Sequence, residues 1–149
     1  MKLRSKLFEY CLQVVEERIK RMQLEIRQLQ LSANTETKSS AGDKYETGRA
    51  MTQLEIERST QQLAEVEKLH RRLQELRTAQ ITNAVVPGSM VTTTKGVFFI
   101  SISLGQIEYD HTKYFCISAD APIAKALMGR GAGEKVSFQG KTYFILSIE

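Results

Sequence analysis

Two long stretches of the chain have the apolar spacing of amphipathic helices, and a polar segment separates them. The first runs from Lys2 to Ala33 without Gly or Pro, and its apolar residues recur at steps of four and three. Such spacing is typical of a coiled-coil helix. About thirty helical residues would extend ~45 Å at 1.5 Å per residue. The apolar seam consists of Val15, Ile19, Met22, Ile26, Leu29 and Ala33.

The second helical pattern runs from about Arg49 to Arg77. A long helix with a narrow apolar stripe cannot bury that stripe alone, and two such helices with a short connection pair as an antiparallel hairpin. We therefore predict an antiparallel coiled-coil hairpin over residues 1–80. Its tip segment, at about residues 34–48, is rich in Ser, Thr, Asn and Gly. The apolar positions of the second pattern include Met51, Leu54, Leu63, Val66, Leu69, Leu73 and Leu76.

The composition changes at residues 81–88, where Pro87-Gly88 indicates a turn and a linker. Residues 89–149 are rich in β-branched and aromatic residues, which favour strands. Lys95-Gly96 and Gln139-Gly140 are typical of tight hairpin turns. The predicted strands are 90–94, 97–104, 114–118, 135–138 and 142–148.

One short helix is predicted between the third and fourth of these strands. Asp120 would cap it, Pro122 suits its first turn and Gly129 would end it. The fold class is therefore α+β, with the hairpin followed by a small antiparallel sheet of four or five strands and this helix. The predicted core of the second part is Val91, Phe99, Ile102, Phe115, Ile117, Ile123, Leu127, Val136, Phe144 and Ile148.

Composition adds limits to this picture. Apolar residues make up 42% of the 149 residues and charged residues 26%, as in a soluble protein. No run of apolar residues is long enough to span a membrane, and no apolar secretory core follows the basic start, so a cytoplasmic location is expected. Cys11 and Cys116 lie far apart in the sequence and are expected to be buried thiols rather than a disulfide or a metal pair. Two cysteines and two histidines give no metal-ligand spacing.

The distribution of charge is more informative than the net charge of +4. Residues 1–33 carry seven Lys or Arg against four Asp or Glu, whereas the tip segment carries two against three. The tip segment is thus a net-acidic stretch on a basic chain. The overall excess is too small for a strong nucleic-acid binder.

The acidic residues Asp43 and Glu46, here called the acid pair, are the main candidates for chemistry. Three residues apart at a helix start, they would lie on one face. Mg²⁺ prefers hard oxygen ligands and is usually held by one or two protein carboxylates with water and phosphate. The same spacing is also a helix-capping signature, with Asp43 accepting from the amide of residue 46. Both interpretations remain open at the level of sequence.

Two groups of residues resemble the bacterial Gre transcript-cleavage factors. The stronger group is Asp120-Ala-Pro-Ile-Ala-Lys-Ala-Leu-Met-Gly129, followed by Gly133-Glu-Lys-Val136 and a final Tyr143–Glu149. It is similar to the family's C-terminal domain, which implies an FKBP-like fold for residues 89–149. The weaker group is Gly42-Asp43-x-x-Glu46, similar to the family's hairpin tip. The chain departs from the family at Thr47, where an Asn is usual, and it lacks the Tyr that follows.

The resemblance implies a role in transcription elongation. The C-terminal domain would dock on bacterial RNA polymerase through Asp120, Pro122 and Ile123, and the hairpin would enter the secondary channel. There the acid pair would help hold a second Mg²⁺ and orient a water for cleavage of a backtracked transcript at the nascent RNA 3′ end. Two residues beside the acid pair, Lys44 and Arg49, would contact RNA phosphate without reading its sequence.

The implied protein is an activator of the polymerase's own cleavage activity, not a free-standing enzyme. It would have no cofactor of its own, would share Mg²⁺ only within the polymerase active centre, and would be a monomer. One alternative is a channel-binding regulator that inhibits or modulates polymerase without cleavage. Another is a coiled-coil adaptor unrelated to polymerase. For Asp120 and Pro122, a simple helix start is the local alternative to docking.

Overall fold

The computed structural model describes the backbone of residues 2–36 and 42–149, and the side chains of residues 2–34 and 46–149. Two long helices come first and a six-stranded sheet follows, with a short helix between its fourth and fifth strands in the chain. This order confirms the predicted α+β class. The elements are α1 (Leu3–Glu36), α2 (Gly42–Arg77), β1 (Met90–Thr93), β2 (Gly96–Ser101), β3 (Gly105–Tyr109), β4 (Thr112–Ser118), α3 (Pro122–Leu127), β5 (Lys135–Phe138) and β6 (Lys141–Ile148).

The described chain forms two compact units. One is Gln13–His70, which holds most of both long helices. The other combines Met1–Leu12 with Arg71–Glu149, so the first turns of α1 and the last turns of α2 belong with the sheet. The division between the two units runs through both long helices.

Within the helical unit, the two helices run antiparallel. Glu16, near the unit's start, lies 3.2 Å from His70 at its end, measured from the carboxylate Oε1 to the imidazole Nε2. The predicted seam of α1 is the side of this helix that is withdrawn from solvent, because Val15 is buried and the other five seam residues are half-buried. The spacing of four and three therefore identified the packed face of α1 correctly.

The packed face of α2 differs from the prediction near its start. Met51 and Leu54 are 66% and 60% exposed, whereas Thr52 and Ile56 are half-buried. Thr52 and Ile56 are four residues apart, so they lie on one side of the helix, and the two apolar residues fall outside that side. Including Met51 and Leu54 in the stripe was wrong, because a threonine occupies the position that the pattern assigned to an apolar residue.

The sheet is mixed, not wholly antiparallel as predicted. Its strand order is β3-β4-β2-β1-β6-β5. Every neighbouring pair is antiparallel except β2 and β4, which run parallel with Phe99 opposite Cys116. The parallel pair arises because β3 and β4 form a hairpin whose second strand lies against β2 and leaves β3 at the edge. The antiparallel prediction was wrong for this one pair.

The sixth strand, β3, was missed by the sequence patterns. Its residues are Gly-Gln-Ile-Glu-Tyr, and none of them is fully buried, as expected at a sheet edge. Asp110 and His111 connect it to β4 with positive φ values of 49° and 62°. This two-residue turn lacks the glycine that identifies most such turns in a sequence. The predicted turn at Gln139-Gly140 does occur, with φ of 48° and 75° between β5 and β6.

Both faces of β2 are covered. On one face, Phe98 and Ile100 join the core around α3, together with Leu127, Val136 and Ile145. On the other, Phe99 is fully buried and meets Phe8 of α1 edge-on, with the ring centroids 4.7 Å apart. Alternation of side chains across a strand produces this two-sided burial. The sheet is thus the middle layer of its unit.

The alternation of side chains along β6 shows that one core prediction, Phe144, was wrong. Phe144 is 46% exposed, and its neighbour Ile145 is buried in the core instead. Phe144 lies opposite Lys135, whereas Tyr143 lies opposite the buried Val136. In a run of consecutive apolar residues such as Tyr143–Leu146, the sequence does not show which residues point inward. Val91, Phe99, Ile102, Leu127 and Val136 are confirmed as buried.

Arg4 ties the start of α1 to the rest of its unit. Its Nε donates to the carbonyl oxygen of Gly88 at 2.8 Å, and its Nη2 donates to that of Leu76 at 3.0 Å. The guanidinium carbon also lies 4.6 Å from the centre of the Phe8 ring. Burial lowers the pKa of Arg4 from its usual value. The Leu76 carbonyl, in the last turn of α2, also accepts a hydrogen bond from the amide of Ala79 at 3.1 Å.

Candidate functional site

The start of α2 carries the acid pair. The helix begins at Gly42, so Asp43 lies inside its first turn, and Glu46 follows three residues later. Residues at this spacing share one side of a helix. The Glu46 side chain is exposed, while the side chains of Asp43 and Lys44 lie outside the described residues. The capping interpretation depends on the Asp43 side chain, so it stays a prediction.

The tip segment is shorter than predicted. α1 continues to Glu36 and α2 begins at Gly42, so much of the predicted break at 34–48 is helical. Residues 37–41 lie outside the described part of the chain. Asn, Ser and Thr lower helix propensity by only a few tenths of a kcal/mol each, and no Pro is present, so helices readily extend into such a segment. The acid pair therefore belongs to a helix rather than to a loop.

Glu46 and Arg49 lie together on this part of α2. Both side chains are exposed, and with Ala50 and Gln53 they line a surface depression of about 510 Å³. An exposed carboxylate can offer oxygen ligands to a hard cation, and an exposed guanidinium can contact phosphate. The described part of this surface therefore carries one carboxylate and one guanidinium, and their roles stay predictions.

The predicted docking residues lie at the start of α3. Pro122 is the first residue of the helix, as predicted. Ala121 occupies the N-cap position without a side-chain hydrogen bond, so the prediction that Asp120 caps α3 was wrong. The Asp120 amide instead donates to Ser118 Oγ at 3.2 Å. Asp120 and Pro122 are exposed, whereas Ile123 is half-buried against the core cluster.

The predicted site residues fall in two different units of the structure. The acid pair and Arg49 belong to the helical unit, and the three residues at α3 belong to the unit of the sheet. Among the residues that the structure describes, no group of three or more His, Cys, Asp and Glu side chains could hold a metal ion. Each set is therefore described as a candidate surface of its own unit.

A contact that the sequence did not indicate joins the two cysteines. Both are buried free thiols, as predicted, and their sulfur atoms lie 3.9 Å apart. Cys11 is on α1 and Cys116 on β4, 105 positions apart in the chain. A separation of this size gives no local signal of proximity.

Comparison with known proteins does not assign the chain to a family. Neither a protein-family model nor a curated protein sequence matches the chain. None of the described helices is long and apolar enough to cross a lipid bilayer.

Proposed function

We propose that this protein is a Gre-like elongation factor that stimulates cleavage of backtracked transcripts by bacterial RNA polymerase. The observation that carries the proposal is the position of Asp43 and Glu46 in the first two turns of α2, a long helix that runs antiparallel to α1 where His70 meets Glu16. An α+β chain of two long helices and a sheet is the layout that the resemblance implies. The finer identity of residues 89–149, an FKBP-like domain, is part of this proposal.

In the proposed role, the acid pair contributes oxygen ligands inside the polymerase active centre. Two carboxylates alone hold Mg²⁺ weakly, because the ion usually needs waters and substrate phosphates as further ligands. The remaining ligands would therefore come from polymerase and RNA. When bound, a second metal ion stabilises charge on the attacking and leaving oxygens of a displacement at phosphorus. Glu46, being exposed, is available for this task.

Lys44 and Arg49 would orient the RNA. Arg49 lies one helical turn after Glu46 and is exposed beside it. Contacts to phosphate oxygens position a nucleic acid without selecting its sequence, which suits a factor that must act on any stalled transcript. The basic charge of Lys44 and Arg49 would also offset the repulsion between the acid pair and the RNA backbone.

Docking would use the second candidate surface. Asp120 and Pro122 are exposed at the start of α3, so both are accessible to a partner. In this proposal they bind the polymerase surface with Ile123, and the protein acts as a cytoplasmic monomer. The protein would have no cofactor of its own and would be an activator of polymerase, not an enzyme.

The test is an assay of RNA length in a halted, backtracked elongation complex. With end-labelled RNA and Mg²⁺, addition of the protein is expected to shorten the transcript from its 3′ end and to restore extension when nucleotides follow. A change in elongation without shortened RNA would favour the modulating regulator. Absence of both effects, and of binding to polymerase, would favour the adaptor.

A further inference from the structure

The buried cysteine pair is the feature that the proposed function leaves unused. Cys11 is 0% and Cys116 1% exposed, and their sulfur atoms are 3.9 Å apart. A disulfide bond is about 2.05 Å long, so the two sulfur atoms would each have to move by only about 1 Å. The chain has no other cysteine, so this pair defines the only disulfide that can form within one molecule.

We propose that Cys11 and Cys116 are an oxidation site that forms an intramolecular disulfide with hydrogen peroxide. In the first step one sulfur attacks the peroxide O–O bond, which gives a sulfenic acid and releases one water. In the second step the other sulfur attacks the sulfenic sulfur, which forms the S–S bond and releases a second water. The two thiols supply two electrons and two protons, and the peroxide is reduced to water.

The surroundings of the pair make the reaction depend on a transient opening. The hydrogen bond with Cys11 and burial raise the pKa of the Cys116 thiol above its usual range. The thiolate is the reactive form, so the closed structure protects the pair. Opening of the contact between α1 and β4 would admit peroxide, and reclosing would return the sulfur atoms to each other. Sub-denaturing guanidinium should therefore accelerate cross-linking.

The disulfide would fasten the first turns of α1 to the sheet. It would join residues 105 positions apart, and a cross-link that closes a long loop raises stability by restricting the unfolded chain. For a chain of this length the unfolding midpoint is expected to rise by about 10 °C or more. The proposal is independent of the role in transcription, because it needs only the contact between the two thiols.

The experiment treats the reduced full-length protein with hydrogen peroxide, with and without sub-denaturing guanidinium, and measures intact mass and a non-reducing peptide map. The expected result is a loss of two mass units, one cross-linked peptide containing Cys11 and Cys116, and no dimer. A reducing agent should restore the lost mass and remove the cross-linked peptide. Cys11→Ala and Cys116→Ala are the controls, and neither should lose two mass units.

Three outcomes would overturn the proposal: addition of oxygen to single cysteines, a disulfide-linked dimer, or two free thiols after the longest treatment with guanidinium. The peptide map of the oxidised wild-type protein decides the matter even where an alanine variant does not fold. A failed transcript assay would leave this result unaffected, and the reverse also holds.

Discussion

Replacing Asp43 and Glu46 together with Ala is expected to reduce stimulated transcript cleavage by about 100-fold, while binding to polymerase is retained. Metal ligation supplies several kcal/mol of charge stabilisation in a displacement at phosphorus. Each 1.36 kcal/mol corresponds to a factor of about ten in rate, so loss of both carboxylates removes at least about two decades. The measurement is the rate of RNA shortening in the halted complex at saturating protein. Helix α2 should persist, because alanine is the best helix former.

The matched control is the double variant Glu55→Ala/Glu57→Ala. Both residues are exposed on the same helix, and the change removes the same amount of charge. This control is expected to cleave at the wild-type rate. Equal loss in both double variants would mean that the acidity of α2, and not the acid pair, supports activity. Wild-type cleavage by the Asp43→Ala/Glu46→Ala variant would rule out the proposed chemistry.

Phe99→Ala is expected to destabilise the sheet unit by about 3–5 kcal/mol, the usual cost of removing a buried phenylalanine. Phe99 is fully buried between the sheet and α1, where its ring meets that of Phe8. The change would leave a cavity at the contact between the two layers. The unfolding midpoint should fall by roughly 10 °C or more, as measured by circular dichroism during thermal or denaturant unfolding.

Phe144→Ala provides the comparison, because it removes the same side chain from a position that is 46% exposed. Its cost is expected to be about 1 kcal/mol or less, as for most surface substitutions. The sequence predicts that both residues lie in the core, whereas the structure buries Phe99 and leaves Phe144 partly exposed. Comparing the two variants therefore tests which description is correct. A larger loss for Phe144→Ala than for Phe99→Ala would contradict the assigned faces of β2 and β6.

The long helices could be predicted from the sequence because their apolar residues recur at regular spacing over many turns. The seam from Val15 to Ala33 repeats over several turns, and all of its positions are withdrawn from solvent. The apolar pattern gave wrong or missing predictions in short segments. Thr52 replaces an apolar residue on the packed side of α2, and β3 has too few apolar residues to stand out as a strand.

The order of the strands, and the side of the sheet on which each side chain lies, depend on contacts between residues that are far apart in the sequence. Strands β2 and β4 pair in parallel because the hairpin of β3 and β4 folds back against β2. No local sequence pattern predicts this pairing. Likewise, the choice of Ile145 over Phe144 for the core depends on register with β5. The contact between Cys11 and Cys116 follows from the packing of α1 on the sheet and has no sequence signal at all.

For the candidate sites, the sequence predicted which helix each residue belongs to better than it predicted helix ends and caps. The spacing of Asp43 and Glu46 predicted a shared helix side, and both residues do lie in α2. The polar composition of residues 34–48 predicts a longer break than the structure has, because α1 continues to Glu36 and α2 begins at Gly42. Pro122 was placed correctly, whereas the capping role of Asp120 was not.

The central claim is that the start of α2 reaches the RNA 3′ end inside polymerase, and a photo-cross-link from residue 45 tests this most directly. Tyr45 lies between the two acids in the chain and is replaced by benzoylphenylalanine, and the same label at Gln62 serves as the control position. The protein is bound to a backtracked complex that carries 3′-labelled RNA and is then irradiated. The account predicts a cross-link to the 3′-terminal nucleotides from residue 45 and none from residue 62. A bound protein whose residue 45 cross-links only to polymerase would contradict it.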